Sequence, residues 1–137
     1  MTLAILYGAT FIVFLGLDYF GLSYVVKPVF EKDVGPVLRD SILIGPALMF
    51  YAFYIAVLLW FVSWPALQNG HSLIWVFGSA ALLGAMAYGT YEFTNLATIK
   101  GWTWRMVMTD LVWGTFLTGT AATVGVLITR ALAPPGT

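Results

Sequence analysis

The stretch LIWVFGSAALLGAMAYGTYEFTNLATI, residues 73–99, decides the fold of this chain. Its side chains are mostly apolar or small, and Glu92 is its only charged residue. About 20 apolar residues are enough to cross the hydrocarbon core of a bilayer as an α-helix. Because lipid offers no partner for backbone N–H and C=O groups, such a stretch must satisfy them internally. The sequence therefore predicts a membrane-spanning helix here.

Three further apolar stretches have the same character. The first carries Asp18 as its only charge, the last carries only Asp110, and the one between residues 41 and 64 carries none. The chain is thus predicted to be all-α, a single transmembrane domain over residues 1–137. Its architecture is an integral membrane four-helix bundle with helices at about 2–26, 41–64, 73–99 and 106–130.

Composition supports a lipid-facing surface and excludes several classes of site. Hydrophobic residues make up 61% of the chain and charged residues 9%, whereas a soluble domain has about 25% charged residues. A formal net charge of zero argues against nucleic acid as a partner. Cysteine is absent and His71 is the one histidine, so the sequence predicts no metal site and no cofactor.

Charge placement predicts how the chain is oriented. The first and third loops hold five of the six Lys and Arg residues, and cytoplasmic loops of membrane proteins are enriched in these residues. Both termini and the second loop, at about 65–72, are then expected outside the cytoplasm. The mixed-charge first loop, residues 27–40, is predicted to be a connector that could meet lipid headgroups. The five residues are Lys27, Lys32, Arg39, Lys100 and Arg105.

Tryptophans lie near the predicted helix ends. Indole rings favour the headgroup level of a bilayer, so these residues are predicted to be interface anchors. They are Trp60, Trp64, Trp75, Trp102 and Trp104.

Small and polar residues recur at helical spacing on the third and fourth helices. Gly84, Tyr88 and Glu92 share one face of the third helix, and Asp110, Gly114 and Thr118 share one face of the fourth. Small residues at this spacing let helix backbones approach closely in lipid. The pattern predicts a tight antiparallel hairpin.

Three acids lie within the predicted helices, all toward the end with the basic loops. Asp18 lies about 13 Å along its helix from Lys27, Glu92 about 12 Å from Lys100, and Asp110 about 7 Å from Arg105. A carboxylate in hydrocarbon is costly, so these side chains are expected to face the bundle interior. Neighbouring polar residues extend this candidate ligand-binding site, whose predicted members are Asp18, Glu92, Asn95, Asp110 and Trp113.

Two interpretations of these acids remain open. Lys27, Lys100 and Arg105 could reach inward and pair with them, which would make the cluster structural. Alternatively, the acids form a polar pocket that binds a cation, a proton or a lipid headgroup.

Three segments resemble a known family: FLGLDYFGL at 14–22, YEFTNLATIKGW at 91–102 and TDLVWGT at 109–115. Together they resemble the small four-helix bacterial membrane proteins catalogued as domain of unknown function 2177. The resemblance covers nearly the whole chain and implies a multi-pass protein of the bacterial inner membrane. It also implies acids at Asp18, Glu92 and Asp110, with aspartate the usual residue at the second position. The family has no assigned reaction.

The sequence leaves three functions open. The leading hypothesis is a lipid- or small-amphiphile-binding helper protein with a buried acidic pocket toward the cytoplasm, whose partners are membrane lipids. A structural or accessory subunit of a larger or homo-oligomeric membrane complex is the second. A proton- or cation-coupled transporter is the third. Whether the protein is an enzyme stays open, since no pairing of a nucleophile with a base is recognisable.

Overall fold

The structure is a computed structural model, and it describes residues 1–133. The last four residues of the predicted domain lie outside the described part. Within that part every regular element is helical, which confirms the all-α class. The α-helices are α1 Thr2–Gly21, α2 Lys27–Val34, α3 Ile44–Leu58, α4 Trp64–Asn69, α5 Leu73–Thr98 and α6 Trp104–Leu132.

These helices join into four segments that are long and apolar enough to cross a membrane, as predicted. α1 and α2 belong to one such segment and α3 and α4 to another, while α5 and α6 each cross alone. Mean hydropathy in the most apolar window of each lies between 1.5 and 1.9. The four segments are Thr2–Val37, Ile44–Asn69, Leu73–Thr98 and Trp104–Leu132.

The first segment is longer than the sequence predicted. Helix was expected to end at Val26, but it continues through α2 and a 3-10 turn at Gly35–Val37. The acidic and basic residues of 27–34 are therefore helical, and Lys27 pairs with Glu31 one turn later at 3.7 Å. At about 1.5 Å per residue, 36 residues extend about 54 Å, well beyond a hydrocarbon core of about 30 Å. α2 thus extends past the core.

The second segment also differs at both ends from the predicted range of 41–64. It begins at Ile44, because residues before it are extended and Pro46 then lies in the first turn, where its missing N–H is tolerated. It ends at Asn69, followed by Gly70 at φ 69°. The predicted start of the second loop at Pro65 was wrong, since Pro65 lies in the first turn of α4.

Two π-helical segments interrupt the first two membrane segments. They cover Leu22–Val26 and Leu59–Ser63, and each ends two residues before a proline, Pro28 and Pro65 respectively. A proline inside a helix lacks an N–H, and its ring clashes with the carbonyl four residues earlier. The wider π turn accommodates this defect without ending the helix. Both segments therefore stay continuous.

α6 is the central helix of the bundle and packs between α5 and α1. Its contact with α5 is very close, since a Cβ built on Gly84 would lie 2.9 Å from the Gly114 carbonyl oxygen. On the other side of α6, the Thr10 side chain of α1 packs against Gly125. The predicted hairpin of the third and fourth helices is therefore present, with Gly84 and Gly114 at the crossing.

Candidate functional site

The acidic centre consists of Asp18 on α1, Glu92 on α5 and Asp110 on α6. All three lie toward the end of the bundle formed by α2 and the α5–α6 loop, which we call the charged end. Their exposed fractions are 5%, 0% and 9% respectively. The helices therefore turn all three acids away from the surrounding lipid, as the cost of a carboxylate in hydrocarbon predicts.

Asp110 is the middle member of the acidic centre. Its carboxyl lies near enough to act electrostatically on the Glu92 carboxyl, and its charge also acts on Asp18. The antiparallel packing of α5 and α6 produces this arrangement, because Glu92 lies two turns beyond the Gly84 crossing and Asp110 lies one turn before Gly114. The register set by the glycines brings the two acids together.

Tyrosine hydroxyls line the centre on the side of the bundle interior. Tyr51 of α3 makes a side-chain hydrogen bond with the Asp18 carboxyl, to which the phenol donates. The Tyr88 ring lies directly over Gly114, where any larger residue would strike it. Farther from the charged end, the hydroxyls of Tyr54 and Thr118 are 2.8 Å apart. A polar strip thus continues from the acids into the middle of the bundle.

Glu92 receives a hydrogen bond from outside its own helix. Trp102 Nε1, in the α5–α6 loop, donates to Glu92 Oε1 at 3.0 Å. The other oxygen, Oε2, is buried and no N–H or O–H group in residues 1–133 donates to it. Two ionised carboxylates only accept hydrogen bonds, so Glu92 and Asp110 cannot bond to each other unless one of them carries a proton. A proton on either carboxyl would let that carboxyl donate to the other.

Trp113 lies against α1 and lines an apolar groove. Its indole lies against Gly21 of α1, and its Nε1 is buried without a hydrogen-bond acceptor in the described chain. On its other side the ring lines a groove of about 410 Å³ that is almost wholly apolar. The lining residues are Val25, Thr109, Val112, Trp113 and Phe116.

The Asn95 side chain interacts with Tyr91, one turn earlier on α5, and Tyr91 is exposed. Of the five predicted site residues, the structure brings Asp18, Glu92 and Asp110 toward one another. Trp113 lies one turn beyond Asp110 on α6, against Gly21 of α1. The role of the five predicted residues in binding a ligand stays a prediction.

The basic residues near the charged end pair with other acids. Lys27 pairs with Glu31, and Arg105 pairs with Asp33 of α2. Within residues 1–133 no Lys, Arg or His forms an ion pair with a member of the acidic centre. The structure therefore does not show lysine or arginine pairing with the three acids. Their carboxyls have no cationic partner among the described residues.

The predicted interface anchors fall into two groups. Trp60 and Trp104 are exposed, at 75% and 63%, and Trp75 stacks on His71 with ring centroids 3.9 Å apart. Trp64 packs against the buried core, and Trp102 turns inward to Glu92. Sequence reasoning thus missed Trp102 and Tyr51 as neighbours of the acids. A signal existed for Trp102 alone, since Gly101 permits a tight turn just after α5.

The arrangement suits binding through charge and hydrogen bonds rather than metal ligation. Across the described part of the chain, no three Asp, Glu or His side chains are grouped as ligands for one ion. The carboxyls instead form a row with Asp110 in the middle, bordered by phenol and indole groups that donate hydrogen bonds. Such a row can hold a proton or accept hydrogen bonds from an ammonium group.

Comparison with known proteins identifies the family. The family model described as "Predicted membrane protein (DUF2177)" matches residues 3–127. The chain therefore belongs to this family, as the three resembling segments predicted. It matches no curated protein and no solved structure.

Proposed function

We propose that this membrane protein binds a lipid or small amphiphile whose positively charged headgroup is held by the acidic centre. One observation carries the proposal: three buried carboxyls from three helices lie toward the same end of the bundle, and none has a cationic partner in residues 1–133. Burying an unpaired charge is costly, and a positive headgroup would offset that cost. An ammonium group would also supply donors for Glu92 Oε2, which has none.

The apolar groove supports an amphiphile over a small ion. Thr109 and Trp113, which line it, flank Asp110 on α6. A ligand with its headgroup at Asp110 could therefore lay an apolar chain along the groove, beside Val25 and Phe116. Binding sites for such molecules are mostly apolar with a few polar groups that fix orientation.

The proposed setting is the bacterial inner membrane, with the charged end toward the cytoplasm. The excess of Lys and Arg at this end supports that orientation, which would put both termini on the outer side. A ligand at the acidic centre would then belong to the cytoplasmic leaflet. Membrane lipids are the proposed partners.

Native mass spectrometry of the protein with its retained lipids tests the proposal. We expect Glu92→Gln and Asp110→Asn each to lower the amount of amine-headed lipid retained from a defined lipid mixture. Glu31→Gln is the matched control, since Glu31 is exposed and pairs with Lys27 on α2. Equal retention by all four proteins would refute the site. Circular dichroism must show that each variant keeps its helices, because buried polar partners also stabilise.

A specific contact favours proton- or cation-coupled transport as a second candidate. Glu92 and Asp110 are buried carboxyls that act on each other, and buried ionisable groups in membrane segments often mark proton relays. Reconstituted protein should then carry a proton flux under an imposed gradient, and Asp18→Asn should change it. No flux in wild type would exclude this candidate.

The outer surface of α3 favours a third candidate, a subunit of a larger or homo-oligomeric membrane complex. Phe50 and Phe53 are exposed at 61% and 57%, on a helix that packs against the bundle with only part of its surface. A protein partner could cover this face in place of lipid. Stoichiometric co-purification of a second protein, or a dimer in mild detergent, would support this candidate, and a clean monomer would count against it.

A further inference from the structure

The loop between α5 and α6 lies over the acidic centre at the charged end. Residues 99–103, which we call the lid, turn sharply at Gly101, whose φ of 86° favours glycine. The lid ends at Thr103, whose hydroxyl accepts a hydrogen bond from Met106 N and so caps α6. Its path carries Trp102 back toward the interior instead of outward to the membrane surface.

The inner face of the lid is attached through Trp102. Its indole donates to Glu92 Oε1 at 3.0 Å, and its ring meets Phe30 of α2 and Tyr91 of α5 edge to face, with centroids 5.4 and 5.9 Å away. The indole therefore fills the space between α2 and α5 and covers Glu92 from the charged end. This placement accounts for the zero exposure of Glu92.

The outer attachment of the lid is a single carboxylate, Asp33 of α2. Thr103 Oγ1 donates to Asp33 Oδ2 at 2.6 Å, and Arg105 Nη2 binds Asp33 Oδ1. The Asp33 side chain is 8% exposed while that of Arg105 is 48% exposed, so the carboxylate is enclosed by its partners. Both oxygens of Asp33 thus hold residues at the α5–α6 junction against α2.

We infer that the lid closes the acidic centre toward the charged end and that Asp33 holds it closed. When Thr103 and Arg105 separate from Asp33, the loop swings about Gly101 and the Trp102 indole withdraws from Glu92. Water and polar molecules then reach Glu92 from this end. The inference concerns access and does not depend on which ligand the centre binds.

The lid uses one oxygen of Glu92, because Oε1 accepts from Trp102 within the described residues. The other oxygen, Oε2, stays free for a ligand donor, so a ligand can bind Glu92 without displacing the indole.

A reversible cross-link that locks the lid tests the inference, because the chain has no cysteine of its own. Asp33→Cys combined with Thr103→Cys puts thiols on two side chains that are in contact, and a short bifunctional reagent that forms a disulfide with each thiol bridges them. The reduced form lacks the Asp33 carboxylate and is open, whereas the oxidised form, in which mass spectrometry confirms the bridge, is closed. The same variant therefore serves as its own folding control.

The measurement is the rate at which a water-soluble carbodiimide with an amine nucleophile modifies Glu92, read by peptide mass spectrometry. We expect the reduced variant to react about tenfold faster than wild type, the change that one lost charge-assisted hydrogen bond produces. Oxidation should return the rate to that of wild type or below. Asp33→Ala should also react faster, while Asp40→Ala, a change at an exposed acid of the following loop, should not.

Equal rates in the oxidised and reduced forms would overturn the inference. A rate increase in Asp40→Ala as large as that in Asp33→Ala would overturn it too. The experiment contains no lipid ligand, so unchanged lipid retention in Glu92→Gln would leave these rates unaffected. The two proposals can therefore fail separately.

Discussion

Replacing Gly84 by alanine should destabilise the bundle through its contact with α6. A Cβ at this position would lie 2.7 Å from Thr118 Oγ1, 2.8 Å from Thr118 Cβ and 2.9 Å from the Gly114 carbonyl oxygen. Carbon atoms in good contact are about 3.5–4.0 Å apart, so α5 has to move away from α6 by roughly 1 Å. Thr118 Cβ is a branched carbon next to the backbone, and the Gly114 oxygen is part of the backbone, so neither can move aside without moving α6.

The size of the effect follows from measured costs of overpacking. Inserting a methyl group into a filled interior costs about 1–3 kcal/mol. Alanine is also more favourable than glycine inside a helix, by about 0.5–1 kcal/mol, which offsets part of this cost. A matched control measures that gain by itself. Gly78→Ala is that control, since Gly78 lies on the same helix and a Cβ there meets nothing within 4 Å. We expect Gly84→Ala to lose stability and Gly78→Ala to keep or gain it.

Unfolding in mixed detergent micelles, followed by circular dichroism as the fraction of denaturing detergent rises, measures both free energies. A separation of the helices would also move Glu92 away from Asp110, because Glu92 lies two turns beyond Gly84 on α5. Gly84→Ala should therefore also retain less lipid. If the two variants unfold at the same detergent fraction, the helices do not cross at Gly84 and the register given for the acids is wrong.

Two further variants use the same unfolding assay. Trp102→Phe keeps an aromatic ring but removes the N–H that donates to Glu92, so the protein should lose about 1–3 kcal/mol of stability. The control Trp104→Phe, at an exposed residue, should change little, and equal losses in the two variants would contradict the Trp102 contact. Tyr54→Phe removes the hydrogen bond to Thr118 and should lower the stability by about 1 kcal/mol. Its control, Tyr19→Phe, changes a residue that is 74% exposed and should match wild type. An unchanged midpoint for Tyr54→Phe would show that this bond contributes nothing.

Most of the fold follows from hydropathy, because the bilayer leaves the backbone few choices. The third segment was predicted at 73–99 and is Leu73–Thr98, since a serine cap and a Gly-containing turn bound an uninterrupted apolar run. Errors arose where charge and proline suggested a loop. Residues 27–34 stay helical although they are charged, because that part of the helix extends beyond the hydrocarbon and solvent can reach its side chains.

The inward direction of the acids was also predictable, whereas their partners were not. The energetic cost of a carboxylate in lipid fixes which way Asp18, Glu92 and Asp110 face. It does not say which neighbour satisfies each oxygen. One of the two interpretations left open by the sequence had lysine and arginine reach inward to do so, but Lys27 and Arg105 pair with acids on α2, Glu31 and Asp33.

Trp102 shows why such partners escape a reading of the sequence. A tryptophan in a short loop of a membrane protein usually lies at the headgroup level, where its N–H meets water. Here Lys27 and Arg105 pair with acids of α2, and Glu92 is buried without a cation among the described residues. A buried acceptor left unsatisfied costs more than a surface indole gains by hydration. The turn at Gly101 brings the indole within reach of Glu92, and the bond forms. The ion pairs with Glu31 and Asp33 thus leave Glu92 to the indole of Trp102. These contacts join residues that are distant in sequence, so residue spacing does not reveal them.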